Sequence, residues 1–193
     1  MDVVQTVRSA IYDHFQNSSA AQQHFFLAEN KDAYAAYYTS MYLIQDTAEA
    51  VYTHIARGFS PDPMLAYIEF WGVMQATDIQ QDAILQLHKA VVGNTPAVQK
   101  GSAWDKLRDT RHLCAGHPAN RRHGVPAPQR TFMGRMFGNY EQIKYELWDE
   151  QIGTTTHPTF NLRQMIEDYD VQAGEVLESV LSTMRSRWPL PRS

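Results

Sequence analysis

The chain has 193 residues, a net charge of −4 and a hydrophobic content of 44%, values that are typical of a globular protein. This length predicts one domain over residues 1–193 with a sizeable core. The mild acidity argues against a protein that coats DNA nonspecifically. A single cysteine, Cys114, excludes an internal disulfide and indicates a reducing compartment. Neither a signal peptide nor a membrane-spanning apolar run is visible, so we expect a cytoplasmic protein outside the membrane.

Apolar residues that recur every three or four positions predict helices over most of the chain. Asp62, Ser102 and Asn161 are typical N-cap residues, while Gly58 and Gly93 are typical of helix C-termini. The predicted helices cover about residues 3–15, 20–28, 31–57, 63–92, 103–114 and 161–188.

The two long helices each have a predicted apolar face. On the first it includes Tyr34, Tyr38, Met41, Gln45 and Ala48, and on the second Leu65, Ile68, Trp71, Ile79 and Leu85. Gln75, Asp78 and Asp82 share one side of the second helix, where they could form a solvated edge, a dimer seam or the wall of a polar site. The stripes Tyr34/Tyr38/Tyr42 and Phe70/Trp71 are more typical of helix packing than of a cofactor site.

A β-hairpin is predicted at about residues 130–148. Two extended segments, Thr131–Phe137 and Tyr140–Trp148, flank Gly138-Asn139, a pair that suits a tight turn, and Ile143, Tyr145 and Leu147 alternate with charged residues. Two strands alone need helices to pack against. We therefore predict a mainly α fold, a helical bundle with a small β-hairpin insertion.

A basic segment interrupts this acidic chain. Between Lys106 and Arg135 there are seven Lys or Arg residues and one acidic residue, a net charge of +6, which leaves −10 for the remainder of the chain. Charge concentrated in this way favours the binding of a polyanion or an anionic ligand. The alternative is a basic loop that is only solvated. Three histidines, His112, His117 and His123, lie in the same segment.

The chemistry of this segment centres on Arg111 and His117. They lie six positions apart, on different faces of a regular helix, but a bend at Gly116 and Pro118 would bring them together. Arginine binds phosphate bidentately, and imidazole exchanges protons near neutral pH. Cleavage of RNA by its own 2′-hydroxyl needs these two groups plus a second imidazole, from His112 or from a second copy of the chain.

The segment Leu107–Pro118 resembles the motif helix of HEPN-domain proteins, in which an arginine, a polar residue and a histidine follow at similar spacing. His112 stands where Asn or Asp is more usual in that family. A wider similarity to uncharacterised bacterial proteins with an Arg-Asn-x-x-x-Gly-His-Pro segment covers about residues 60–122, including Trp71–Ala76 and Gln80–Ala83.

The resemblance implies an α-helical, often dimeric domain whose active members are metal-independent ribonucleases. It implies that Arg111 orients the scissile phosphate, that His117 is the acid or base, and that His112 stabilises or orients His117. The flanking phosphates would be held by Arg108, Arg121 and Arg122.

Other interpretations remain open. Arg111 could form a salt bridge with Asp78 or Asp82, and His117 could lie at a helix C-terminus. The same bundle could also bind RNA, a nucleotide or a protein partner without cutting it. The residue types of a zinc site are present in His112, Cys114, His117 and His123, but without a recognised spacing, and Cys114 is more typical of a small buried residue. We therefore expect neither a metal nor a cofactor.

Overall fold

The computed structural model describes residues 2–122 and 125–190. In this part of the chain there are six α-helices, one 3₁₀ turn at Ala28–Asn30 and five short strands. The helices are α1 (Asp2–Asn17), α2 (Ser19–Phe26), α3 (Lys31–Arg57), α4 (Pro63–Val92), α5 (Ala103–Arg111) and α6 (Leu162–Arg187). The strands are β1 (Gln129–Phe132), β2 (Ile143–Lys144), β3 (Glu146–Asp149), β4 (Thr154–Thr156) and β5 (Thr159–Phe160).

Four helices close into a bundle around the core. α3 packs along α4, α4 against α6, α6 against α1, and α1 against α3, while α5 lies outside on α6 and α4. The largest side chains of the core with almost no exposure include Ile11, Phe25, Ile44, Phe70, Met74, Ile84, Leu87, Trp104 and Tyr169. The predicted fold class, mainly α with a small β insertion, is confirmed.

The predicted helix caps are also present. Asp62 Oδ1 accepts from the backbone N–H of Met64 and Leu65 at the start of α4. Ser102 and Asn161 accept in the same way at the starts of α5 and α6. Each cap satisfies backbone donors that the first helical turn leaves free, which is why α4, α5 and α6 begin where the sequence predicts.

The predicted apolar faces of the two long helices are partly wrong. In α3 the buried stripe contains Tyr37, Met41 and Ile44, whereas Tyr38 is 51% exposed. In α4, Leu65 and Ile68, which were expected in the core, are 54% and 62% exposed. The periodicity misled because both helices have apolar residues around most of their circumference, so spacing alone did not determine which stripe faces the bundle.

The β insertion is larger than a simple hairpin. β1 and β3 pair antiparallel, with Phe132 opposite Glu146, and β4 adds a third strand on the other side of β3. β2 leaves this sheet and pairs with β5. The predicted turn at Gly138-Asn139 makes a local bridge, Gly138 to Ile143, rather than joining β1 directly to β3.

Candidate functional site

A π turn follows α5 at the motif. The α-helix ends at Arg111, and residues His112–Gly116 form one wider turn in which His117 N–H donates to His112 O at 2.8 Å. The sequence predicted an α-helix to about Cys114 with a bend at Gly116, so the departure from α geometry begins earlier. A π turn changes which side chains share a face of the helix, and such turns are common at functional sites.

The π turn brings two imidazoles close together. The ring centroids of His112 and His117 are 6.2 Å apart with an interplanar angle of 47°. His117 is exposed, whereas His112 is half-buried. Burial, and then the positive charge of Arg111, lower the pKa of His112 below its ordinary value. The lowered pKa favours the neutral form of His112 at pH 7.

Arg111 is held against α4. Its Nη2 donates to Gln75 Oε1 at 2.7 Å, and its Nε lies 3.5 Å from Asp78 Oδ2. The side chain is 19% exposed, and its Nε is buried without a hydrogen-bond partner. Gln75 and Asp78, on the polar side of α4, thus both contact Arg111. The ion pair with Asp78, one of the open interpretations, is present, whereas Asp82 pairs with another arginine.

That other arginine is Arg108, one turn earlier on α5. Its Nε donates to Gln81 Oε1 at 3.0 Å and lies 3.3 Å from Asp78 Oδ1, and its Nη2 contacts Asp82. Gln81 is fully buried and donates to Trp104 O at 3.1 Å. The sequence analysis did not identify Gln81 as part of this cluster. Its position three residues after Asp78, on the same side of α4, could have predicted it.

The remaining two arginines that were predicted to bind phosphate differ in exposure. The Arg121 side chain is 9% exposed, and its Nη2 bonds Asp109 at 2.9 Å. Arg122 is exposed, with its Nε 3.3 Å from Asn120 Oδ1. Three of the seven basic residues of the segment are therefore paired with aspartates within the fold. The exposed cations of the segment are Lys106, Arg122, Arg130 and Arg135.

The β insertion supports the π turn, a role that the sequence did not suggest. Thr131 Oγ1 donates to Leu113 O at 2.6 Å, and Thr131 N–H donates to Pro118 O at 2.7 Å. Backbone bonds of 2.8 and 2.9 Å between Arg121 and Gln129 continue the connection. β1 therefore fixes a turn that has lost regular α-helical bonding.

Cys114 points into the core from this turn. It is 3% exposed, and burial raises the pKa of its thiol to about 12. It is thus the small buried side chain that the sequence indicated, and it remains a thiol at neutral pH.

Neither a metal cluster nor a membrane span is found in the described part of the chain. Within residues 2–122 and 125–190, no three His, Cys, Asp or Glu side chains form a group that could hold a metal ion. His123, one of the four zinc-ligand candidates, lies outside the described residues. Within the same ranges, no helix combines the length and apolar character needed to cross a bilayer.

Comparison with known proteins adds no further constraint. No protein-family model matches the chain, and no curated protein or solved structure is significantly similar to it. The site itself contains Arg111 and two neighbouring imidazoles of different exposure.

Proposed function

We propose that the protein is a cytoplasmic, metal-independent endoribonuclease of HEPN type that acts on RNA through Arg111, His112 and His117. The observation that carries the proposal is the 6.2 Å separation of the two imidazole rings beside a fixed arginine. In this proposal a phosphodiester binds beside the two rings and contacts both of them. Acid and base can therefore come from one chain.

In the proposed reaction each imidazole carries out one proton transfer. Neutral His112 takes the proton of the 2′-hydroxyl, and the 2′-oxygen then forms a bond to phosphorus. The bond from phosphorus to the 5′-oxygen breaks, and protonated His117 donates its proton to that oxygen. The products are a 2′,3′-cyclic phosphate and a 5′-hydroxyl end. Arg111 stabilises the charge that develops on the non-bridging oxygens.

The position of Asp78 allows Arg111 to bind a phosphate. It lies between Arg108 and Arg111, with its two oxygens 3.3 and 3.5 Å from their Nε atoms. When phosphate binds Arg111, Asp78 keeps Arg108 as its partner and is not left as an uncompensated charge. Arg122, already exposed, holds a flanking phosphate, whereas Arg108 and Arg121 do so only by exchanging their ion pairs.

We further propose that the active form is a homodimer. Leu65, Ile68 and Trp71 form an exposed apolar stripe on α4, with 54%, 62% and 43% of their surface accessible. This stripe leads along the helix to Gln75, which bonds Arg111. A second copy that covers the stripe would place its Arg/His site near the first.

A non-catalytic binding protein is the second candidate. The observation that favours it is the pairing of Arg108, Arg111 and Arg121 with Asp78, Asp82 and Asp109, which leaves fewer free cations than an RNA cleft commonly offers. In this alternative the bundle binds RNA, a nucleotide or a protein partner, and Arg111 fixes α5 to α4.

The deciding experiment is cleavage of a labelled structured RNA in EDTA by the purified protein and by His117→Ala. His157→Ala is the matched control, because His157 is also exposed but lies on the β insertion, paired with Glu146. A substrate with 2′-deoxyribose at the cut position tests the internal nucleophile. We expect cutting by wild type and His157→Ala, 2′,3′-cyclic phosphate ends, and no cutting by His117→Ala or of the deoxy substrate.

Two results would reject the ribonuclease. Equal cutting by all three proteins identifies a contaminant. If wild type, folded as judged by circular dichroism, leaves RNA intact yet retards it in a gel, the binding alternative replaces the enzyme.

A further inference from the structure

A cavity lined mainly by tyrosines lies between α1 and α3, away from the Arg/His site. Its volume is about 350 Å³, within the range of small-molecule sites. Five tyrosines line it: Tyr12 from α1, and Tyr34, Tyr37, Tyr38 and Tyr42 from α3. Single exposed aromatics are ordinary on protein surfaces, but five around one cavity form a continuous aromatic wall.

Neighbouring tyrosines of the wall pack on one another and leave aromatic surface exposed. The centroids of Tyr38 and Tyr42 are 4.8 Å apart, and those of Tyr34 and Tyr38 are 6.0 Å apart. Tyr12, Tyr38 and Tyr42 remain 45% to 51% exposed, so the aromatic faces are accessible from solvent. The rings of each pair are tilted to one another, by 43° and 57°, so an added planar ring would pack against their exposed faces and edges.

Tyr37 is the most deeply buried of the tyrosines that line the cavity. The residue is 3% exposed, and its hydroxyl is buried without a hydrogen-bond partner. Its ring packs on Phe15, with the centroids 4.8 Å apart, so the hydroxyl cannot readily turn to solvent. A buried hydroxyl without a partner is costly, and a ligand oxygen would satisfy it. Because burial raises the pKa of Tyr37, the phenol keeps its proton and acts as a donor.

Arg8 gives the cavity its charge. Its Nε donates to Met41 O at 3.1 Å, and its guanidinium carbon lies 5.4 Å from the centre of the Tyr12 ring, so the side chain is fixed in place. Among the described residues that line the cavity, Arg8 is the only charged one. Because the lining of this cavity contains a cation and no carboxylate, it favours an anionic ligand over a cationic one, although Arg8 also borders a neighbouring cavity that contains Glu49.

We propose that this cavity binds a small planar aromatic carboxylate. The ring of the ligand stacks on Tyr38 and Tyr42, and its carboxylate accepts from the Tyr37 hydroxyl and the Arg8 guanidinium. The volume suits two fused rings better than one. This site is independent of the proposed ribonuclease chemistry.

Calorimetric titration with 2-naphthoate tests the proposal. We expect a Kd on the order of 100 µM for wild type. Two probes set the specificity: decahydro-2-naphthoate keeps the charge without the aromatic ring, and 2-naphthylmethylammonium keeps the ring but reverses the charge. Both should bind at least about ten-fold more weakly.

Conservative variants locate the site. Tyr37→Phe removes only the unpartnered hydroxyl and should weaken 2-naphthoate binding about ten-fold without lowering the melting temperature. Tyr169→Phe is the matched control, because Tyr169 also has a buried hydroxyl without a partner but packs on Trp104 elsewhere in the core. Arg8→Gln should weaken binding, and Arg8→Lys should restore part of it.

Three outcomes would overturn the proposal. The first is no heat of binding at millimolar 2-naphthoate with folded wild type. The second is equal binding by wild type, Tyr37→Phe and Arg8→Gln, which places the ligand elsewhere. The third is tighter binding of the ammonium probe, which means that the tyrosines form a cation site.

Discussion

Gly116 lies directly beneath the guanidinium of Arg111. A Cβ atom placed on Gly116 would lie 2.8 Å from Arg111 Nη1 and 3.3 Å from its Cζ, closer than side chains ordinarily approach. Gly116 does not have a positive φ, so space and not backbone conformation requires glycine here. The last residue of the π turn thus determines where the guanidinium can lie, and it does so from the position just before His117.

The first prediction concerns Gly116→Ala. The added methyl group should push the guanidinium away from Gln75. Because even a small displacement of a catalytic group slows the reaction, we expect RNA cleavage to fall at least about ten-fold. Because the displaced atoms are the flexible end of a side chain, we expect a loss of unfolding free energy of about 1 kcal/mol or less. Cleavage rate and urea denaturation measure the two effects.

Gly134→Ala is the control for this change. Gly134 also has no positive φ, and a Cβ there meets nothing within 4 Å. It should leave cleavage unchanged. If Gly116→Ala cuts RNA as fast as wild type, the position of Arg111 is irrelevant to the activity.

The second prediction compares two aspartates that contact the same arginine. Asp78 is 14% exposed and lies against both Arg108 and Arg111, whereas Asp82 is 65% exposed and contacts Arg108 alone. Asp78→Asn should lower the free energy of unfolding by about 2–4 kcal/mol, because two partly buried cations lose their shared counter-charge. Asp82→Asn should cost less than about 1 kcal/mol.

Urea denaturation of both variants, at low and at high salt, checks this order. The effect of Asp82→Asn should shrink further in high salt, since its exposed charge is screened, while that of Asp78→Asn should persist. Equal losses for the two variants would mean that burial does not distinguish these ion pairs.

Much of the bundle could be predicted from the sequence because its signals are local. Asp62, Ser102 and Asn161 cap helices through bonds to residues two or three positions away, so their role depends on neighbours in sequence alone. Arg111 and His117 could likewise be selected from the sequence by their residue types and spacing. The ion pair of Arg111 with Asp78 was foreseeable as one of two options, because both aspartates share a side of α4.

What the sequence could not provide depends on packing between distant segments. The contacts of α4 with α3 and α6 determine which of its stripes is buried. Since spacing alone does not show these contacts, the sequence predicts Ile68 in the core, although it is 62% exposed. The π turn likewise depends on Thr131, eighteen positions from Leu113, whose carbonyl oxygen it binds. The cavity of tyrosines was missed because it requires α1 beside α3.

The third prediction is a pH dependence centred on His54. Its Nδ1 lies 2.6 Å from the Tyr140 hydroxyl and its Nε2 3.4 Å from Glu69 Oε2, which joins α3 to α4 and to the β insertion. Burial is the largest cause of a lowered pKa of His54 in the folded protein. The unfolded chain therefore binds the proton more tightly, and stability is lost as the pH falls from about 6.5.

The measurement is the free energy of unfolding of wild type and His54→Gln between pH 7.5 and 5. Wild type should lose more stability over this interval than the variant, because glutamine can still bond Tyr140 but does not titrate. His112, whose pKa is also lowered, contributes equally to both proteins and cancels in the difference. His157→Gln, at an exposed position, should follow wild type. Parallel curves for wild type and His54→Gln would refute the role of His54.

The fourth prediction tests the apolar stripe of Leu65, Ile68 and Trp71 on α4. If this stripe is covered by a second copy, an aspartate at its centre would bury a charge without a partner, which costs more than a dimer contact supplies. Ile68→Asp should therefore convert a dimer to a monomer in analytical ultracentrifugation while the melting temperature of the monomer remains similar. Val171→Asp is the control, because Val171 is 55% exposed but lies on α6. If wild type sediments as a monomer at concentrations where it cuts RNA, one chain is sufficient, and His112 and His117 of the same molecule provide both proton transfers.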